Sequence, residues 1–160
     1  MSSKIDYRIV RNSSLGVELT EDEGKVLASV MEVVFLEEGD VLIKEGEPES
    51  TLFLLAVGHL TVTSDIDGTE VLMYTMKGGE CAGTRSFIDG SARKATIKAA
   101  TDATVYTLEP EKFEELLAQD PRVVYKVMRA LFRVTHSNLT RMNMESQALA
   151  SYINKSGGRY

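Results

Sequence analysis

The hydrophobic period of the chain changes twice. Val26, Leu27, Val30 and Met31 recur at helical spacing, and Thr20-Glu21-Asp22-Glu23 ahead of them places a hydroxyl at a cap and a carboxylate three residues on. That is a capping box, and it predicts a helix opening at Thr20. From about Glu32 to Glu109 the period shortens to two. Short β-branched and aromatic runs follow one another: Val33-Val34-Phe35, Val41-Leu42-Ile43, Leu52-Phe53-Leu54-Leu55, Leu60-Thr61-Val62, Val71-Leu72-Met73-Tyr74, Ala95-Thr96-Ile97 and Val105-Tyr106-Thr107. Turn signals such as Glu38-Gly39-Asp40, Gly58 and Gly78-Gly79 separate them, and Asp67-Gly68 is the strongest hairpin signal of the set. Strands at these intervals predict a closed or sandwiched antiparallel β fold.

After Thr107 the helical period returns. Pro110 opens a helix through Gln119, and Pro121 opens a second, with Asp120 as its cap, running to about Tyr152. Lys155 to Tyr160 reads as a frayed tail. The expected organisation is an N-terminal segment over 1–19, one domain over 20–152 that includes the long helix, and a tail over 153–160. The chain shows no internal repeat and no linker.

Composition narrows the class. With 160 residues, 43% apolar and 26% charged, the chain has the makings of one folded domain rather than a disordered one. Its longest apolar runs fall far below the about 20 residues a membrane span needs, and Met1 to Asp6 lacks a signal-peptide core. The single cysteine, Cys81, leaves no internal disulfide and agrees with a reducing cytosol. Two histidines, His59 and His136, lie far apart, so neither a metal centre nor a small histidine-dependent enzyme is expected. Cys81 has no sequence-local helper and reads as buried filler. The expectation is a protein without catalytic function.

The most informative stretch is Gly83-Thr84-Arg85-Ser86-Phe87-Ile88-Asp89-Gly90-Ser91-Ala92-Arg93-Lys94-Ala95-Thr96-Ile97. It leaves a strand at a glycine, passes through about one helical turn and re-enters a strand at an arginine. Amides at the start of a helical turn lack partners and suit an anionic oxygen. An arginine fork across from them grips the same anion. An arginine at a strand start is common, so this stretch alone is a weak signal.

Here the sequence resembles the cyclic nucleotide-binding domain family, the sensor module of cAMP-receptor-type regulators, cyclic-nucleotide-dependent kinases and gated channels. Gly39-Asp40-Val41-Leu42-Ile43-Lys44-Glu45-Gly46-Glu47, Leu52-Phe53-Leu54-Leu55 and Gly58-His59-Leu60-Thr61-Val62 resemble its opening strands, and Gly83 to Ile97 its phosphate-binding cassette. The resemblance runs over roughly residues 20–145. It implies a mainly β fold: an eight-stranded, cupin-like jelly-roll barrel with an N-terminal helix and two C-terminal helices. It also implies a ligand, cAMP or another cyclic nucleotide. The residues it places at that ligand are Gly83, Thr84, Arg85, Ser86, Ala92, Arg93 and Lys94, with Asn138 from the long helix.

Three positions depart from the family pattern. Thr84 stands where a glutamate accepts the ribose 2′-OH, Ala92 where a proline precedes the arginine, and Lys94 where a small residue follows it. Exchanging a charged acceptor for a hydroxyl costs about 1–2 kcal/mol, or roughly 5- to 30-fold in affinity. Weakened binding is therefore expected; the alternative is a barrel that has lost its nucleotide and serves as a dimerisation or interaction module.

On the long helix Val124, Val127, Leu131, Thr135, Asn138, Met142 and Leu149 share one face, and Arg122, Lys126, Arg129 and Arg133 the opposite one. The apolar face predicts a homodimer seam; packing on the chain's own barrel is the competing reading. In the family this helix also closes over the base, at positions that are Val134, Asn138 and Leu139 here. Residues 121–160 carry a net charge of +6 and the remaining 120 residues −12. That basic stripe suits nucleic acid, an acidic protein surface or plain solvation. The acidic whole, and a tail too short for a helix-turn-helix after the long helix, predict an effector protein rather than specific DNA as the partner.

Overall fold

A computed structural model describes residues 5–157. Its elements are α1 (Tyr7–Asn12), α2 (Glu21–Ser29), β1 (Glu32–Leu36), β2 (Val41–Ile43), β3 (Leu52–Val57), β4 (Leu60–Ile66), β5 (Thr69–Met76), β6 (Cys81–Ala82), α3 (Thr84–Asp89), β7 (Thr96–Ala99), β8 (Ala103–Leu108), α4 (Pro110–Gln119) and α5 (Pro121–Gly157). The strands form two four-stranded antiparallel sheets, in the orders β1-β8-β3-β6 and β2-β7-β4-β5. This is the jelly-roll barrel with flanking helices that the sequence resemblance implies.

The local signals are realised as atoms. Thr20 Oγ1 accepts from the Glu23 amide at 3.2 Å while Glu23 Oε1 accepts from the Thr20 amide at 3.0 Å, closing the capping box. Asp67 and Gly68 take φ of 53° and 82°, the left-handed pair that a two-residue hairpin requires. β3 and β8 explain why their apolar runs do not alternate with polar residues. Leu52 and Leu54 of β3, with Tyr106 and Leu108 of β8, pack outward against α1, α2, α4 and α5. Phe53 and Leu55, with Ala103 and Val105, pack inward with Ile43, Leu60, Met76, Ala82 and Ile97 in the barrel. These strands belong to two cores at once, and both faces are apolar.

The structure departs from the sequence reading at both ends. The segment 1–19, set outside the domain by its pattern, contains α1 and contributes Val10, Leu15 and Leu19 to the helical core. Six residues are too few to display a helical period, and Val10 is the one fully buried side chain of α1. The long helix continues past Tyr152 to Gly157, taking in the first part of the expected tail; residues 158–160 lie outside the described residues.

The basic stripe of α5 turns inward. Lys126 pairs with Glu23 at 2.5 Å, and Arg129 and Arg133 both reach Glu18, at 3.1 and 3.0 Å. Arg133's hydrogen bond, the largest influence, holds the Glu18 carboxyl below the usual carboxylate range, and Lys126 does the same for Glu23. The first half of α5 is thus clamped on the N-terminal helices by apolar contact and by charge.

If 1–19 belongs to the core, Leu15→Ala lowers stability by about 2–5 kcal/mol. Val17→Ala, at a position 67% exposed, changes it by less than about 0.5 kcal/mol. Urea denaturation of both variants makes the comparison; equal, small effects would place the segment outside the cooperative unit.

Candidate functional site

The site is built where β6 hands over to α3. Gly83 enters the helix at φ 80°, in the left-handed region. A Cβ there would collide with Arg93 Nη1 and come within 3.0 Å of the Thr51 carbonyl oxygen, so the position is closed to any other residue without displacement of the arginine. Gly90, at φ 72°, ends the helix by returning its amide to the Ser86 carbonyl at 2.8 Å. Between them Ser86 and Phe87 are buried, and Phe87 meets the Phe113 ring of α4 at 5.4 Å.

Arg93 returns the chain to the barrel. Its backbone pairs with the β2–β3 loop: the Gly46 amide donates to the Arg93 carbonyl at 2.8 Å, and the Arg93 amide to the Glu47 carbonyl at 2.9 Å. Only 4% of the residue is exposed. Nη2 donates to the Thr51 carbonyl at 2.8 Å, and the guanidinium lies 5.6 Å from the centroid of the Phe53 ring. Nε and Nη1 are buried with no hydrogen-bond partner among the described residues. Burial pulls the guanidinium pKa down, against an opposing effect of Glu49 and Glu109; the group stays charged at neutral pH. A buried cation with two idle donors beside a glycine-opened helical turn is a receptor for an anionic oxygen.

The family model of the cyclic nucleotide-binding domain matches residues 33–120, more than half of the chain. The chain belongs to the cyclic nucleotide-binding domain family.

Among its relatives, mouse cGMP-dependent protein kinase 2 is 33% identical over 114 residues, 69% of this chain but 15% of the kinase. The chain therefore spans about one seventh of that curated relative. A cyclic nucleotide-binding domain from Methylobacillus flagellatus superposes with a TM-score of 0.77 at 25% identity, covering 84% of this chain and 76% of that one. The regulatory domain of Toxoplasma gondii PKA, solved with cAMP, gives a TM-score of 0.62 at 25% identity over 68% of this chain and 42% of that one. The matched domain is a regulatory, ligand-binding one.

Within this cyclic nucleotide-binding domain the predicted residues divide. Gly83, Thr84, Ser86 and Arg93 gather at the start of α3, with Thr84 half-buried as its first residue. Arg85 is exposed and pairs with Asp89 at 3.9 Å; Ala92 and Lys94 are exposed as well. On α5, Val134 is half-buried, and Asn138 and Leu139 are exposed. Thr51 and Phe53, which hold Arg93, were not legible beforehand: Thr51 acts through its carbonyl, which any residue offers, and Phe53 reads as ordinary core.

The seam residues also divide. Val124, Val127 and Leu131 are buried in the chain's own core, because this part of the apolar face meets α2, α3 and α4. Thr135 and Asn138 are exposed, and the Met142 side chain lies outside the described residues. One residue further round the helix Tyr125, Met128, Phe132, Leu139, Leu149 and Ile153 are all exposed.

Cys81 packs against the helical core with its sulfur 3.2 Å from Ser14 Oγ, and burial pushes its thiol up to about 12. A group raised in this way keeps its proton through neutral pH, and the folded state loses stability as pH rises above the ordinary thiol value, where only the unfolded chain ionises. At pH 8 a disulfide reagent should modify folded Cys81 less than about one tenth as fast as the urea-unfolded chain. Equal rates would show that the thiol is open to solvent.

Proposed function

We propose that the chain is a regulatory cyclic-nucleotide sensor rather than an enzyme. It binds cAMP or a related cyclic nucleotide with weakened affinity, works in the cytoplasm as a homodimer, and signals through an effector protein. The observation that carries this reading is the buried Arg93 guanidinium beside Gly83, whose Nε and Nη1 lack partners among the described residues. A cyclic phosphate supplies the acceptors and the countercharge together. The Toxoplasma relative solved with cAMP supports the choice of ligand. Thr84, a neutral hydroxyl at the head of α3, supports the weakened affinity. Specific DNA is disfavoured because Lys126, Arg129 and Arg133 already face Glu18 and Glu23.

The homodimer reading rests on the exposed face of α5. Tyr125, Met128, Phe132, Thr135, Leu139, Met142, Ser146, Leu149 and Ile153 alternate three and four residues apart, the spacing of a two-stranded coiled coil. This seam lies one residue round from the face singled out in the sequence and keeps its Thr135, Met142 and Leu149. A second reading, a barrel without ligand that serves as an interaction module, draws on Thr84 and on the same exposed stripe.

Calorimetry separates the two. Thr84→Glu strengthens cAMP binding about 5- to 30-fold, and Arg93→Ala weakens it by more than about tenfold. If neither substitution changes cAMP binding, the interaction-module reading replaces the sensor. For the dimer, light scattering over a tenfold concentration range reads twice the chain mass for the wild type and the single-chain mass for Phe132→Asp with Leu139→Asp. A monomeric wild type removes the seam.

A further inference from the structure

Strand β1 is a free edge of its sheet. It stands first in the order β1-β8-β3-β6 and pairs with β8 alone. Alternate residues of such a strand turn their N–H and C=O groups away from the partner. Among the described residues nothing hydrogen-bonds those groups between Glu32 and Leu36. The side chains repeat the pattern. Val33, Val34, Phe35 and Leu36 are apolar, yet none is fully buried. β8, paired on both sides, buries five of its six residues.

The outer face of the sheet adds a second observation. Val33, Tyr106 and Leu54 form one row across β1, β8 and β3, and it packs against the helical core. The next row, Phe35, Thr104 and Val57, lies beyond the helices: Phe35 is 64% and Val57 57% exposed. Glu37 and Asp102 stand two residues further along, on the same face. Asp102 Oδ1 accepts from the Glu38 amide at 3.0 Å, and Asp40 Oδ2 from the Glu37 amide at 2.8 Å. These bonds fix the turn after β1 and leave its charge uncompensated. Glu32 lies at the other end of β1. All five acids are exposed, and none pairs with a cation among the described residues.

The edge thus has an apolar middle and carboxylates at both ends. A second copy of β1 is a poor match. Antiparallel pairing would bring Glu32 of one strand beside Glu37 and Glu38 of the other, and like charges across a ladder are destabilising. A strand of the reverse charge is complementary. We propose that β1 is a docking edge for an extended segment of a partner protein, with β-branched or aromatic residues flanked at both ends by lysine or arginine. The segment adds a fifth strand beside β1: its backbone takes the free ladder groups, its apolar residues cover Phe35, and its cations meet Glu32 and Glu37. The proposal rests on the sensor reading for the existence of an effector, and not for the nucleotide.

The probe is a synthetic peptide, Lys-Lys-Thr-Val-Tyr-Val-Thr-Lys-Lys, titrated into the full chain without nucleotide and followed by amide NMR. The expected result is a shift of the Val33 to Leu36 amides, with slower hydrogen exchange at those facing the edge. Phe35→Ser should weaken binding at least about fivefold, and Glu37→Lys with Asp102→Lys at least about tenfold. These positions are exposed, and circular dichroism checks that the variants are folded. The same peptide N-methylated through its Val-Tyr-Val centre keeps its charge, lacks the ladder donors and should leave β1 unshifted. No shift of β1 at about 1 mM peptide, binding that survives N-methylation, or shifts confined to other surfaces overturns the docking edge. Protection of β1 that grows with the concentration of the free protein places a second copy there and overturns the partner assigned. In each of these cases cAMP calorimetry of wild type and Thr84→Glu still decides the sensor reading.

Discussion

A guanidinium removed from water without a carboxylate beside it is the constraint around which the barrel is arranged. Removing an ion from water costs several kcal/mol even after relaxation. Arg93 recovers part of this from the Thr51 carbonyl and the Phe53 ring. Glu49 and Glu109 act on it only through space; Glu109 is itself engaged by the Thr51 hydroxyl at 2.9 Å. Among the described residues, none hydrogen-bonds Nε or Nη1. The left-handed Gly83 has a clear reason in this setting, since any side chain there would occupy the guanidinium's place. A residue kept for folding alone would have been satisfied or apolar.

Charge burial at this point also ties the barrel to the helices. The interior core holds Phe53, and the next residue, Leu54, faces the helical core. A shift of β3 by one residue would exchange these faces, drawing the Arg93 contact and the helix contacts out of place together. α3 adds a second tie: it starts at the glycine that touches Arg93 and buries Phe87 against Phe113 of α4. A ligand that moves Arg93 or α3 therefore pushes directly on the surface that carries α4 and the root of α5.

Much of this was legible in the sequence where a signal is local. The capping box, the Asp67-Gly68 hairpin, the two proline-opened helices and the cassette all depend on residues within a few positions of one another. Where the outcome depends on what lies opposite, the sequence was silent or ambiguous. β6 has two residues, too short for any period, and exists through its pairing with β3. α1 is held by the buried Val10 and by the Asp6 amide donating to the Tyr106 hydroxyl, a partner 100 residues away. Arg93 was singled out by its motif, but its burial and its idle nitrogens come from residues 51 and 53.

The long helix shows the same limit most sharply. It carries two apolar faces that differ by one residue, 124-127-131 and 125-128-132, and helical periodicity alone gives no reason to assign either to the chain's own core. The assignment follows from what lies opposite: Val124, Val127 and Leu131 meet α2, α3 and α4, and the pairs of Arg129, Arg133 and Lys126 with Glu18 and Glu23 accord with the same rotation of α5 about its axis. That rotation buries Val124, Val127 and Leu131 and leaves Tyr125, Met128 and Phe132 exposed. The basic stripe, which the sequence leaves open to nucleic acid, an acidic protein surface or plain solvation, lies against Glu18 and Glu23 of the chain itself.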